Sequence, residues 1–381
     1  MSGTGIGVRR RRRRLVWATL SAAGLIVSAC SSTVASRSTA ENGSAGDRSL
    51  ESLLSAMPTS VDFATSQASP YAFVLGNVDA AIAASGLARP GAGTATDDEV
   101  RLWLRNLSAL GGTGAEPAAA FEFPFPLHQP KEEPIAAAAA LGWSLLDVHA
   151  FVWDLSGTLT VLDVDTTPAR LTAALGPATD GVWAIGHEAH RFNWTPRQPE
   201  FMSVRMAGRD GLLACGGSDA AVKALLAGGP TLADNASFVE VTRALDAVGA
   251  YAAVVLAPDK FSIDAFIRSN PRASQAKIDE RLQQLVPNAF DALGIGYSVQ
   301  GGERLTSFVY HHADAAEAAA NAPILEALFK NGLSLKGNRR FGDSFTVQSV
   351  VTTGDLVTVT VSGSAQPLEL ILQQENMTVS Q

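Results

Sequence analysis

The sequence predicts an α+β body made of two related halves, each an antiparallel sheet covered on one face by helices. Three observations carry that expectation. Residues 201–226 and 345–372 both read as strand, turn, strand and helix, with Asp210-Gly211 and Gly354-Asp355 at the two turns. Upstream of each lies a strand followed by a helix, 159–165 with 168–175 and 304–310 with 313–329, which completes a β-α-β-β-α repeat twice. Strands joined by short turns pair antiparallel, and an antiparallel sheet needs only one covered face. The dividing line falls at 228–234, giving a first half of residues 48–230 and a second of 231–381.

Taken in order, Leu50, Leu53 and Leu54 fall on one side of a helix that Pro58 ends. Tyr71-Ala-Phe-Val-Leu reads as a strand, and Asn77 or Asp79 is placed to cap a short helix over 80–84. Thr96 and Glu99 have capping-box spacing ahead of a helix whose Val100, Trp103, Leu104 and Leu107 make one apolar stripe, read as core. Residues 117–134 contain Phe121-Glu-Phe-Pro-Phe-Pro, in which each proline removes a donor and holds its predecessor extended. Phe121, Phe123 and Phe125 then point one way, as a lid on their own core or as a ligand-binding comb.

Residues 135–141 form an alanine-rich helix closed by Gly142, and the run 145–153 is apolar at mixed spacing, so its type stays open. Residues 157–165 alternate and are β-branched, which predicts a strand. Thr167 next caps a helix with Pro168 in its first turn and Gly176 at its stop. The second half reads as a helix over 238–248, a strand over 251–256 and a helix over 278–293. A strand over 294–300 then pairs with 304–311 across Gly301-Gly302.

The first thirty residues are organised differently. Six consecutive arginines at 9–14 precede a fifteen-residue apolar run, 15–29, and then Cys30. A cationic head, an apolar middle and a small-residue exit in that order predict a secretory signal over 1–29, and the run is shorter than the ~20 residues a spanning helix needs. Its last residues, Val27-Ser28-Ala29-Cys30, resemble the lipobox of bacterial lipoproteins. The resemblance implies recognition through Val27, Ser28 and Ala29, cleavage before Cys30, and diacylation of the Cys30 thiol. The finished chain is then held on the outer face of the cytoplasmic membrane. Each buried acyl methylene contributes ~0.8 kcal/mol; one chain holds only reversibly, and the two or three the resemblance implies anchor durably. The arginine pairs leave Sec and Tat export both open. Residues 30–47 are the acylated cysteine and a Ser/Thr/Ala/Gly stretch that buries no core and predicts a flexible tether of ~20–25 Å.

Removing residues 1–29, with six arginines and no acid, takes the formal charge from −8 to −14. That argues against a nucleic-acid partner, which requires clustered Lys and Arg, and against adhesion to anionic lipid by charge. The expected contacts are the membrane, through the lipid anchor, and a lipid or cell-wall ligand or an envelope protein. With Cys30 acylated, Cys215 has no disulfide partner and reads as a small apolar strand residue. The Ala, Gly, Pro and Arg richness together with the lipobox resembles an actinobacterial lipoprotein. Leu145-Leu-Asp-Val and the stretches 159–165, 212–226 and 308–317 carry a looser resemblance to uncharacterised large actinobacterial lipoproteins, which implies no activity.

Candidate chemistry is sparse. His187-Glu188-Ala-His190 spaces its histidines three apart where a zinc-protease helix needs four, and on a strand they point to opposite faces. Asp163 and Asp165 share one face of their strand, as a cation or acid pair or as acids near a helix start. His311 and His312 diverge at a strand end. Gly294-Ile-Gly296 lacks the third glycine of a dinucleotide loop, and no Gly-x-Ser-x-Gly or Walker A pattern occurs. The expectation is a non-enzymatic envelope lipoprotein without cofactor that binds a hydrophobic or small ligand or a protein partner. Its rivals are a metal-dependent hydrolase using His187, Glu188 and His190 with Asp163 or Asp165, and a structural envelope lipoprotein without ligand.

Overall fold

The computed structural model describes residues 48–61, 72–91, 93–107, 134–188, 203–257, 287–332, 340–343 and 345–363. The expectations for Val27, Ser28, Ala29, Cys30, the tether, Phe121, Phe123, Phe125 and His190 lie outside these residues.

Local signals translate directly into elements. Helix α1 (Leu50–Leu54) starts where the Ser49 hydroxyl accepts from Ser52 N. Strand β1 (Ala72–Asn77) runs into α2 (Val78–Ser85), capped by Asn77 Oδ1 at 2.8 Å from Ala80 N and closed by Gly86 in the left-handed region. Ahead of α3 (Asp97–Leu107), Thr96 N donates to Glu99 Oε2 at 2.8 Å and Thr96 Oγ1 to the same oxygen at 3.0 Å, bonds that hold the Glu99 carboxyl below its ordinary range, while Glu99 N donates to Thr96 Oγ1 at 3.3 Å. The α3 stripe Val100, Trp103, Leu104 and Leu107 is buried as read. Helix α4 (Pro134–Leu141) follows.

The open segment 145–153 is a single 3₁₀ turn, Leu145–Asp147, running into β2 (Val148–Asp154). Next come β3 (Leu159–Val164), α5 (Pro168–Leu175), β4 (Trp183–Gly186), β5 (Ser203–Arg209), β6 (Leu212–Gly216) and α6 (Asp219–Ala227). The second half contributes α7 (Ala236–Ala247), β7 (Ala252–Leu256), β8 (Ala292–Gln300), β9 (Glu303–His311), α8 (Ala315–Asn331), β10 (Phe345–Thr353) and β11 (Leu356–Gly363). The helix expected over 278–293 is corrected at its end, because Ala292 and Leu293 already belong to β8.

The α+β class holds, but the two expected sheets are one. Among the described residues, eleven strands, antiparallel at every pairing, lie in the order β10-β11-β9-β8-β7-β1-β2-β3-β6-β5-β4. The joint is β1 against β7, with Val74 opposite Val254. Each strand satisfies the hydrogen-bonding edge the other would leave open, and an open apolar edge invites wrong partners.

Coverage on one face is also corrected. Residues Val74, Phe151, Leu162, Val254 and Phe308 face a layer containing α2, α3, α4, α5 and α8, while Phe73, Val152, Val161, Val255 and Val309 face α1, α6 and α7. Both parities of the central strands are apolar, so both faces must be buried; this is why 145–153 gave no clean period. Gly294 and Gly296 point at α7: a Cβ on Gly294 would lie 2.2 Å from Val241 Cγ1, and one on Gly296 2.7 Å from Leu245 Cδ2. The Gly-x-Gly pair is a trough that lets α7 lie close on the sheet. That closeness sets the position of Glu240.

Candidate functional site

Polar clusters interrupt these apolar layers, and two among the described residues gather acids around a histidine. The first centres on Asp79, placed in the opening turn of α2 by the Asn77 cap. Arg48 Nη1 lies 3.0 Å and His149 Nδ1 2.8 Å from Asp79 Oδ2, and Arg89 Nη2 lies 2.6 Å from Oδ1. Arg48 Nε reaches Asp163 Oδ2 at 2.5 Å, and His149 Nε2 reaches Asp165 Oδ2 at 2.9 Å. Asp163 and Asp165 therefore enter one network, bridged by Arg48, Asp79 and His149. Burial lowers the Arg89 guanidinium from its ordinary value while Asp79 and Asp165 raise it, and a guanidinium stays charged throughout. These partly exposed pairs contribute ~0–1 kcal/mol each. Their arrangement ties the chain before α1 to one end of the central strands β1, β2 and β3.

The second cluster forms around His311, the last residue of β9 and only 12% exposed. Its Nε2 lies 3.2 Å from Glu240 Oε2 on α7 and 3.8 Å from Asp355 Oδ2 in the β10–β11 turn. Its Nδ1, closed off from solvent, lies 3.5 Å from Asp291 Oδ2 without hydrogen-bond geometry. One ligand atom each from Glu240, His311 and Asp355 fall within 4.8 Å of one another. His312 diverges from it as the strand pleat requires: its Nδ1 lies 2.8 Å from the Ala289 carbonyl, and Asn321 Nδ2 lies 3.2 Å from its Nε2. Burial draws the His312 pKa below its ordinary value, so the ring is neutral, donating to Ala289 and accepting from Asn321.

The predicted His187-Glu188 segment is not part of either cluster. The His187 carbonyl accepts from Ser203 Oγ at 2.6 Å, and Glu188 Oε1 accepts from Asp219 N, at the start of α6, at 3.2 Å. Glu188 thus satisfies a free helix-terminal N–H. The segment follows β4, and β5 and β6 stand between β4 and β3. Three strand spacings amount to roughly 14 Å, so His187 and Glu188 do not surround one ion with Asp163 or Asp165.

No protein-family model matches the chain. No curated protein matches it either. Among solved structures, crystal form I of TP0453 aligns over 85% of this chain and 97% of its own, with 10% identity and a TM-score of 0.32. That similarity is too slight to carry a fold or a function.

A cavity of about 250 Å³ opens beside the β5–β6 turn, lined by Ala56, Arg209, Asp210, Leu225, Gly229 and Thr231. Arg209 crosses it to donate from Nη1 to the Leu225 carbonyl at 3.2 Å. Cys215 lies far from reactivity: it is buried in β6, and burial pushes its thiol well above the ordinary value. In a Cys30→Ser background it is the sole thiol of the chain. Ellman's reagent is expected to titrate none in the folded protein and one per chain after denaturation. Rapid titration of the folded protein would contradict the burial.

No local pattern along the chain marks the His311 cluster. Glu240 and Asp355 lie 71 and 44 positions away, and only the placement of α7 and the β10–β11 turn beside the end of β9 joins them.

Proposed function

We propose that the protein is an extracytoplasmic lipoprotein, anchored through diacylated Cys30, whose duplicated α+β body is a non-enzymatic binding module at the cell envelope. The observation that carries this reading is the order of the arginines at 9–14, the apolar run 15–29 and the lipobox-like Val27-Ser28-Ala29-Cys30. The tether 31–47 then gives the body reach from the membrane surface, and the charge of −14 leaves the lipid rather than basic residues to hold it there.

Duplication is supported by the strand order. Counted outward from the β1–β7 joint, one side runs β1-β2-β3-β6-β5 and the other β7-β8-β9-β11-β10. The helices α5 and α8 follow the corresponding strands β3 and β9, and the hairpins turn at Asp210-Gly211 and Gly354-Asp355. The occupant of the module is a hydrophobic or small ligand, a lipid or cell-wall fragment, or an envelope protein, with Phe121, Phe123 and Phe125 the candidate contacts.

The anchor is tested by expressing the full chain with labelled palmitate in a host with lipoprotein processing. The native chain should carry label and enter the detergent phase of Triton X-114. A Cys30→Ala variant should lose the label and move to the aqueous phase; unchanged partitioning would overturn the proposal. Mass spectrometry of organic extracts of the untagged protein then identifies what the body carries.

A further inference from the structure

We infer that Glu240, His311 and Asp355 form a binding site for one divalent cation of the Zn²⁺ class, with Asp291 orienting the imidazole. The inference rests on this cluster alone and does not depend on the lipid anchor.

Three carboxylates meet one imidazole that is almost entirely enclosed. His311 Nε2 faces Glu240 Oε2 at 3.2 Å and Asp355 Oδ2 at 3.8 Å, so three atoms able to ligate stand around one point. A cation placed there would take one ligand atom from each of the three side chains. Asp291 Oδ2 stands 3.5 Å from Nδ1, on the far side of the ring, where the carboxylate partner of a ligating histidine belongs, and a small side-chain movement would complete that bond. The spacing fits as well. A tetrahedral ion with bonds of ~2.0–2.2 Å has ligand atoms roughly 3.3–3.6 Å apart, between the two distances found. The carboxylates of Glu240 and Asp355, 40% and 37% exposed, have room to close the remainder and leave a fourth position to water. One nitrogen with carboxylates selects Zn²⁺ over Ca²⁺ or Mg²⁺, which take oxygen ligands and, for Mg²⁺, keep much of their water. The ion would fasten α7, the end of β9 and the β10–β11 turn to one another.

The test uses the untagged full chain in detergent, stripped with EDTA and titrated with ZnCl₂ at pH 7.5 by calorimetry, with thermal melting in parallel. One equivalent should bind, and the melting midpoint should rise by about 5 °C at a hundredfold excess over Kd. His311→Gln and Asp355→Asn should each abolish the shift, and Asp291→Asn should weaken binding about 10–100-fold while the chain stays folded. If His311→Gln does not fold, Asp355→Asn in the exposed turn decides. No stoichiometric uptake, a shift that survives both ligand substitutions, or equal protection by Ca²⁺ and Mg²⁺ would each overturn the site.

Discussion

Replacing Gly294 with alanine is expected to destabilise the fold by about 3 kcal/mol, the upper end of the ordinary cost of overpacking. The added Cβ would stand 2.2 Å from Val241 Cγ1 and 2.9 Å from Leu245 Cδ1, well inside van der Waals contact. Val241 is β-branched on a helix and has one favoured rotamer, so it cannot swing aside cheaply. The relief available is for α7 to lift off β8. Because Glu240 precedes Val241 on α7, the same movement carries its carboxylate away from His311. The measurement is urea unfolding of the variant and its parent: the midpoint should fall with little change in slope. Adding Val241→Ala should recover part of the loss, because the two sites are in contact and their effects are coupled. A Gly294→Ala variant within 0.5 kcal/mol of the parent would show that α7 does not lie in the glycine trough.

Truncating Phe308 to alanine is expected to cost about 3–5 kcal/mol. Phe308 is fully buried in β9, with its ring 4.7 Å from that of Phe329 on α8 in an edge-to-face arrangement. Phe329 in turn packs against Phe341 at 6.4 Å, so the cavity would open inside a chain of three rings. A Phe308→Leu variant keeps most of the volume and should lose much less, about 1.5 kcal/mol. Denaturant titrations of the pair separate the effect of volume from that of the ring. Equal stability of the alanine variant and the parent would mean that α8 is not seated on β9.

The elements were legible where one short stretch carried all the physics. Ser49, Asn77, Thr96 with Glu99, Thr167 and Ser218 all cap the helices that follow them, because a cap acts on the N–H two or three residues away. The hairpin turns were legible for a similar reason: Asp210 and Gly211 both take positive φ, as a two-residue turn demands. Gly294-Ile-Gly296 was visible but not interpretable, since its meaning lies in a helix about fifty residues upstream.

Neighbours along the chain were enough to specify the capped helices, the hairpin turns, the α+β class and the lipobox-like order that predicts the anchor. Tertiary structure alone decided that β1 meets β7 in one sheet, that both faces are covered, and that Glu240, Asp291, His311 and Asp355 converge. Each of these joins groups that share no local hydrogen bond. Such contacts form because burying two apolar faces and closing an open strand edge outweighs the entropy of bringing distant segments together.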